Sequence, residues 1–380
     1  MLEFLRDLVT EFPIYLIAFL SVITVVVFVH ELGHFLVARW VGVRIEVFSI
    51  GFGRELFGFY DRHGTRWKFC LLPLGGYVKM FGEADELLET DGTTRQLTHT
   101  ERSQSFFHKS LARRSAVVIA GPVANYIFAI IVLAIMFMTY GQPFTAPVIG
   151  SVNEDSAAER AGLEVGDRII SIDGQPMERF EDIAAIIQFG LGEPVDLVYE
   201  RDGTQHTMVV QPDVVETDDN FGNVTRIGRL GIKPASDTEV RTHGPIQAVG
   251  AASVATVETS QRILEALWQM VEGTRSTEEI GGPLRIGKMA GDILKEGVVA
   301  LIGFAAWISV MLGLFNLFPI PMLDGGHLAF YAYEAVRGRP AHVRAQDWAL
   351  KAGIVVLVGM AIFALHNDLK LFDFFKNLLT

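Results

Sequence analysis

The chain has 380 residues, half of them hydrophobic, with 20% charged residues, a mean hydropathy of +0.33 and a formal net charge of −12. That balance argues against a wholly soluble protein, and no basic patch interleaved with aromatic residues points to nucleic acid. The acid is concentrated, because residues 141–296 hold 26 Asp and Glu against 13 Lys and Arg; this is the composition of a water-facing domain set between apolar stretches. The one cysteine, Cys70, leaves no intrachain disulfide and no cysteine-based zinc site.

Four stretches are apolar enough to cross a hydrocarbon core about 30 Å thick, which takes about 20 helical residues. They lie at roughly 13–40, 115–139, 298–318 and 346–366. The first follows Arg6 as a signal peptide would, but no small-residue cleavage site closes it, so it reads as a retained helix. Next comes a strand-like piece from Val43 to Phe48, ending at Gly51-Phe52-Gly53. In a second piece Trp67, Phe69 and Leu71 alternate with Arg66 and Lys68, and Pro73, Gly75 and Gly76 break the run before Tyr77-Val78-Lys79-Met80. Residues 84–104 are polar and Thr-rich, the pattern of a mobile loop.

Beyond the second span, strand-like runs at Val148 to Val152, Arg168 to Ile172, Val195 to Tyr199 and Thr207 to Val210 are separated by turn signals such as Asp173-Gly174 and Asp202-Gly203. A helix is expected from Phe180 to Gln188, and helical periodicity returns from Pro245 to Val271. The expected organisation is a membrane part (1–140), a small β-rich domain (141–236), a helical, amphipathic linker (237–296) and a second membrane part (297–380). Arg39, Arg44, Lys109, Arg113 and Arg114 flank the first two spans on one side, and Arg337, Arg339 and Arg344 lie between the last two. The positive-inside tendency makes those loops cytoplasmic, which places both termini and residues 141–296 outside.

The chemistry centres on His30-Glu31-Leu32-Gly33-His34. Helical positions four apart share a face, so both imidazoles can hold one zinc ion with Glu31 beside it. Ionisable residues inside an apolar run are costly and usually functional, and the apolar pattern resumes at Phe35. A catalytic zinc normally takes three protein ligands. The favoured third is Asp324, delivered where two prolines break an apolar helix in Asn316-Leu317-Phe318-Pro319-Ile320-Pro321-Met322-Leu323-Asp324-Gly325-Gly326; His327 is a nearby rival.

Together the HExxH motif in the first span, Gly121-Pro122 with Asn125 in the second, and the Asn-x-x-Pro-x-Pro-x-Leu-Asp-Gly-Gly string resemble the site-2 protease family. The chain is most similar in plan to bacterial regulated intramembrane metalloproteases of the RseP and MmpA type. The string Ala161-Gly162-Leu163-Glu164-Val165-Gly166-Asp167-Arg168-Ile169 resembles circularly permuted bacterial PDZ domains, with Leu230-Gly231-Ile232 as the carboxylate-binding loop. The best-known member of the group has two such domains, and this chain has room for one.

The fold so implied is a polytopic α-helical membrane protein of about four spans, with a membrane-associated β-loop region and an inserted extracytoplasmic PDZ-like α+β domain. The resemblance implies His30, His34 and Asp324 as zinc ligands, Glu31 as catalytic base, and Asn316 and the loop around Gly75, Gly76 and Tyr77 as substrate contacts. It implies a bacterial inner membrane protein that cleaves a membrane-spanning substrate, such as an anti-sigma factor or a remnant signal peptide, after a first cut by another protease. Segment 66–80 reads either as an edge that adds an unwound substrate strand or as a structural hairpin. The PDZ-like domain reads either as a C-terminus binder or as a size filter. Gly281-Gly282-Pro283 is a substrate loop by likeness and a turn by pattern. The rival functions are a catalytically silent PDZ-bearing scaffold and a transporter; the HExxH spacing and the lack of a repeated half oppose the latter. Oligomeric state is not legible.

Overall fold

A computed structural model describes residues 11–82, 86–88, 94–218, 224–235 and 239–371. Contacts divide the described residues into two compact units: residues 11–133 with 281–368, and residues 134–280 with 369–371.

In the first unit, α1 (Phe12–Trp40) begins with a proline in its first turn, where the missing N–H costs nothing. It is followed by β1 (Ile45–Tyr60), β2 (Arg66–Met80), β3 (Glu86–Leu88), β4 (Thr94–Gln96) and α2 (His99–Gln104). The parts of the expected 84–104 loop that are described thus hold a short hairpin and a helix capped by Thr98 and Glu101; residues 84, 85 and 89–93 lie outside the described residues. The chain then enters α3 (Leu111–Thr139). Among the described residues, four helices have the length and apolarity to cross a membrane: α1, α3, and two that come later in the chain, Val298–Asn316 and Val343–Leu371.

The two expected strand pieces differ from the structure. β1 runs on through Gly51-Phe52-Gly53, and β2 is not broken at Pro73, Gly75 or Gly76. The glycines act as bends inside a paired ribbon, Gly51 at φ +87° and Gly75 at φ +145°, and register shifts absorb the extra residues. Phe48 pairs with both Trp67 and Val78, Ser49 with Lys68 and Tyr77, and Ile50 with Phe69 and Gly76. The middle of β1 is therefore an interior strand, while among the described residues Gly76–Met80 pairs on one side only and forms an edge. Phe48 anchors the ribbon to α1, packing with Phe35, Ala38 and Val117 and stacking on Trp67 at 4.4 Å. The Thr24 hydroxyl, midway along α1, donates to the Pro73 carbonyl at 3.0 Å.

The segment from Gly281 to Glu296, read from sequence as part of the linker, clusters with the apolar helices instead. Its helix packs Ala290 against Ala18, Val22 and Val26 of α1 and Phe304 and Ile308 of the following span. Gly291 permits this, since a Cβ there would lie 1.5 Å from the Tyr15 ring. The Asp368 carboxylate accepts from the N–H groups of Gly282 and Leu284, at 2.8 and 3.0 Å, and so caps the start of that helix from the last span. Gly281-Gly282-Pro283 is thus a capped helix start.

The second unit contains β5 (Gln142–Phe144), β6 (Ile149–Val152), α4 (Ala157–Ala161), β7 (Arg168–Ile172), β8 (Gln175–Pro176), α5 (Phe180–Phe189), β9 (Val195–Arg201), β10 (Thr204–Val210), β11 (Asp213–Asp218), β12 (Val224–Arg229), β13 (Ile232–Pro234), β14 (Glu239–Arg241) and α6 (Pro245–Glu272). A four-stranded sheet in the order β10-β9-β7-β8 and the pair β6–β13 enclose Ile149, Ile169, Ile172, Ile183 and Leu197. Asp202-Gly203, both at positive φ, make the two-residue turn between β9 and β10, extending both strands beyond their expected ends. The first unit resumes with α7 (Pro283–Glu296), α8 (Val298–Asn316), α9 (Asp324–Arg337) and α10 (Val343–Leu371).

Candidate metal centre

His30 and His34 lie one turn apart on α1, both buried, with their Nε2 atoms 3.2 Å apart. Asp324 Oδ2 approaches them at 3.2 and 3.4 Å. Among the described residues this is the only group of three side chains that can hold a metal ion, and His327 is not in it. The histidines' other nitrogens both meet residues of α3. His34 Nδ1 lies 2.8 Å from the Val117 carbonyl oxygen and can only donate to it, so its Nε2 carries a lone pair. His30 Nδ1 lies 3.3 Å from the Asn125 side-chain amide.

Two imidazole Nε2 atoms, that of His34 with its lone pair inward, and a carboxylate oxygen then converge in a buried site, and Asp324 Oδ2 has no hydrogen-bond partner. Such a cluster repels itself unless a cation or proton sits in it. Zinc bonds of about 2.0–2.2 Å in tetrahedral geometry set ligand atoms roughly 3.3 Å apart, which matches the spacing here. The donor set, N, N and O, also suits zinc.

Three elements build this arrangement. α1 supplies the His pair through helical periodicity. α3 supplies the backing: a Cβ on Gly121 would lie 2.3 Å from His34 Nε2 and 2.8 Å from His30 Cε1, so only glycine lets α3 come this close. Reciprocally, a Cβ on Gly33 would lie 2.3 Å from the Ala120 oxygen. Neither contact is legible from spacing. Asn125, fully buried in an apolar helix, did carry a signal, because unpaired polar groups at such depth are expensive. The break after α8 supplies Asp324. Leu323 precedes it in extended conformation and Met322 adopts φ +89°, a left-handed backbone that side chains disfavour. Gly325 and Gly326 let α9 begin against the carbonyls of Leu317, Phe318 and Ile320.

Glu31 follows His30 and receives a backbone hydrogen bond from Val78 of β2. A Cβ on Gly76 would stand 3.3 Å from Glu31 Cγ, so the β2 backbone passes beside the glutamate. Tyr77 stacks on Phe52 with ring centroids 6.2 Å apart. Gly75, Gly76 and Tyr77 are therefore brought to the site. The Asn316 side-chain amide donates to the Leu312 carbonyl of its own helix at 3.0 Å. Leu230, Gly231 and Ile232 belong to the other unit, where with Asn153, Ala184 and Ile187 they line a groove of about 160 Å³.

Residues 18–360 match the peptidase family M50, the site-2 proteases. The chain belongs to that family. A protein of Rhizobium meliloti named "Putative zinc metalloprotease" is 43% identical over 356 residues, covering 93% of this chain and 95% of the relative. One of the same description from Agrobacterium fabrum is 40% identical, covering 94% and 96%. The metalloprotease MmpA of Caulobacter vibrioides is 34% identical over 96% of this chain and 98% of its own length. Among solved structures, the PDZ domain of an SdrC-like protein from Listeria monocytogenes aligns with 24% of this chain and 88% of its own length, at 21% identity and a TM-score of 0.19, too low a score to carry an argument. A peptidase family, relatives named as zinc metalloproteases and a cluster of side chains that could hold a metal ion together make this M50 chain a membrane zinc metalloprotease.

Proposed function

We propose that the protein cleaves a single-span membrane protein within or beside its transmembrane segment, with His30, His34 and Asp324 holding zinc and Glu31 as the catalytic base. The observation that carries this reading is the convergence of the three ligand atoms beside Glu31, within and between apolar helices. When bound, zinc acidifies water and polarises a carbonyl. Glu31 takes the proton from the attacking water and returns it to the leaving amine nitrogen. The Val117 carbonyl supports the His34 tautomer whose Nε2 lone pair points inward, and the Asn125 side chain orients the His30 ring.

A helical substrate offers no free carbonyl, so it has to unwind before cleavage. The edge of β2 at Gly76–Met80 supports strand addition as the way the unwound segment is held, since its backbone runs past Glu31. Exposed Phe57, Phe59, Leu71 and Leu74 on the same ribbon fit a lipid setting. The positively charged loops favour an inner-membrane orientation with residues 141–296 and both termini extracytoplasmic, although residues 1–10 and 372–380 lie outside the described residues. The apolar groove at Leu230-Gly231-Ile232 supports capture of a substrate's C-terminus, as would be exposed by a prior cut of an anti-sigma factor or signal peptide.

The test is cleavage of a single-span reporter by the detergent-purified protein, with and without a zinc chelator. Cleavage that stops on chelation and returns with zinc is expected. Undiminished cleavage by the metal-free protein contradicts the proposal.

A further inference from the structure

One face of α3 touches the metal site three times. Val117 takes the His34 Nδ1 proton, Gly121 backs both rings and Asn125 meets His30. At spacings of four residues these positions lie on a single stripe of the helix. One turn before Val117, the same stripe carries Arg114. Its Nη2 donates to Glu334 Oε1 of α9 at 2.6 Å, and its guanidinium lies 4.9 Å from the Tyr331 ring. The side chains are largely enclosed, Arg114 at 12% and Glu334 at 18% exposure.

α9 begins with Asp324 and ends at Arg337, so its two ends are held differently. At the start, Gly325 and Gly326 pack on the chain that immediately precedes them. Near the far end, Glu334 and Tyr331 grip Arg114. We infer that the Arg114–Glu334 pair, seated on Tyr331, is a positioning device for the metal site, fixing the helix that bears Asp324 to the helix that already orients both histidines. This rests on the assignment of those three residues as ligands.

The chemistry suits positioning better than stabilisation. An enclosed ion pair gains little over apolar packing, and Arg114 Nε is left buried without a partner. Its hydrogen bond does, however, select one register of α9 against α3. Glu334 lies ten residues from Asp324, about 15 Å along the helix. A small rotation of α9 about its N-terminal contact then shifts the ligand oxygen, and metal sites tolerate displacements of only about 0.2 Å.

The test uses the full-length protein in detergent, with zinc affinity measured by chelator competition and the visible spectrum of the cobalt-substituted form as a second readout. Arg114→Glu and Glu334→Arg should each weaken zinc binding about tenfold and change the cobalt spectrum, as loss of outer-sphere support does elsewhere. Combining the two reversals should restore most of the affinity and the wild-type spectrum, a recovery that loss of general stability does not give. Should the single reversals fail to fold, Glu334→Gln, which keeps size and shape, carries the test with the same expected direction. Affinities within twofold of wild type and an unchanged spectrum overturn the inference, as does a double variant no better than its parents. His30→Ala separates the two levels of the argument: retained zinc there refutes the ligand assignment itself, whereas zinc lost there but kept in the Glu334 and Arg114 variants refutes only the positioning role.

Discussion

Gly121→Ala places one methyl group where α3 faces the two histidines. The new Cβ would lie 2.3 Å from His34 Nε2, 2.5 Å from His34 Cε1 and 2.8 Å from His30 Cε1, all closer than real Cβ atoms approach. These atoms belong to rings that are buried and tied through Nδ1 to α3 itself, so they cannot swing aside without losing those hydrogen bonds. Restoring ordinary contact requires α1 and α3 to part by about 1 Å, a displacement of the size that costs on the order of 100-fold in rate at a reacting centre. Zinc affinity should fall as well, by about 10- to 100-fold. Zinc content by elemental analysis and initial cleavage rates of a single-span reporter check both numbers, with elution volume and helical circular dichroism as folding controls. A Gly121→Ala protein that keeps wild-type zinc and cuts within threefold of the wild-type rate refutes the packing of α3 against the His pair.

Asn125→Leu keeps the volume but removes the side-chain amide that meets His30 Nδ1, and zinc affinity should drop about 10- to 100-fold by chelator competition. Asp167 in the second unit offers a pH dependence. Burial works to raise its pKa, but hydrogen bonds from Arg201 and the Glu164 N–H outweigh that and hold it below the usual carboxylate range. Its contribution to stability is therefore complete above the unfolded value of about 3.9 and is lost as pH falls through the lower folded value. In calorimetry of the full-length protein, the transition of residues 134–280 should move to lower temperature on acidification below that point, and Asp167→Asn should flatten the dependence while lowering the transition at neutral pH.

Much of the site was legible because its determinants are local. His30 and His34 meet through helical periodicity, and Asp324 sits at a break that two prolines announce. The turn at Asp202-Gly203 and the strand Arg168–Ile172 rest on equally local chemistry. What escaped depends on partners far away in the chain. Gly51 and Gly75 look like strand breakers, yet lateral pairing on both sides of Phe48, Ser49 and Ile50 carries the ribbon through them. The segment 283–296 has the polarity of a linker, but Gly291 exists to receive the Tyr15 ring. Gly121 stood out only as part of a family motif, and its role appears only once the imidazoles stand against it. Asn125 is the intermediate case: the family motif singled it out, but only the fold names His30 as its partner.

The central claim is that Glu31 supplies the base for hydrolysis at a zinc held by its neighbours. The most direct measurement compares wild type with Glu31→Gln in detergent, recording bound zinc and cleavage of a single-span substrate in the same preparations. The account predicts zinc near one per chain in both proteins and cleavage in the wild type alone. Cleavage by Glu31→Gln at a rate near wild type, or a wild-type protein that binds no zinc, would contradict it.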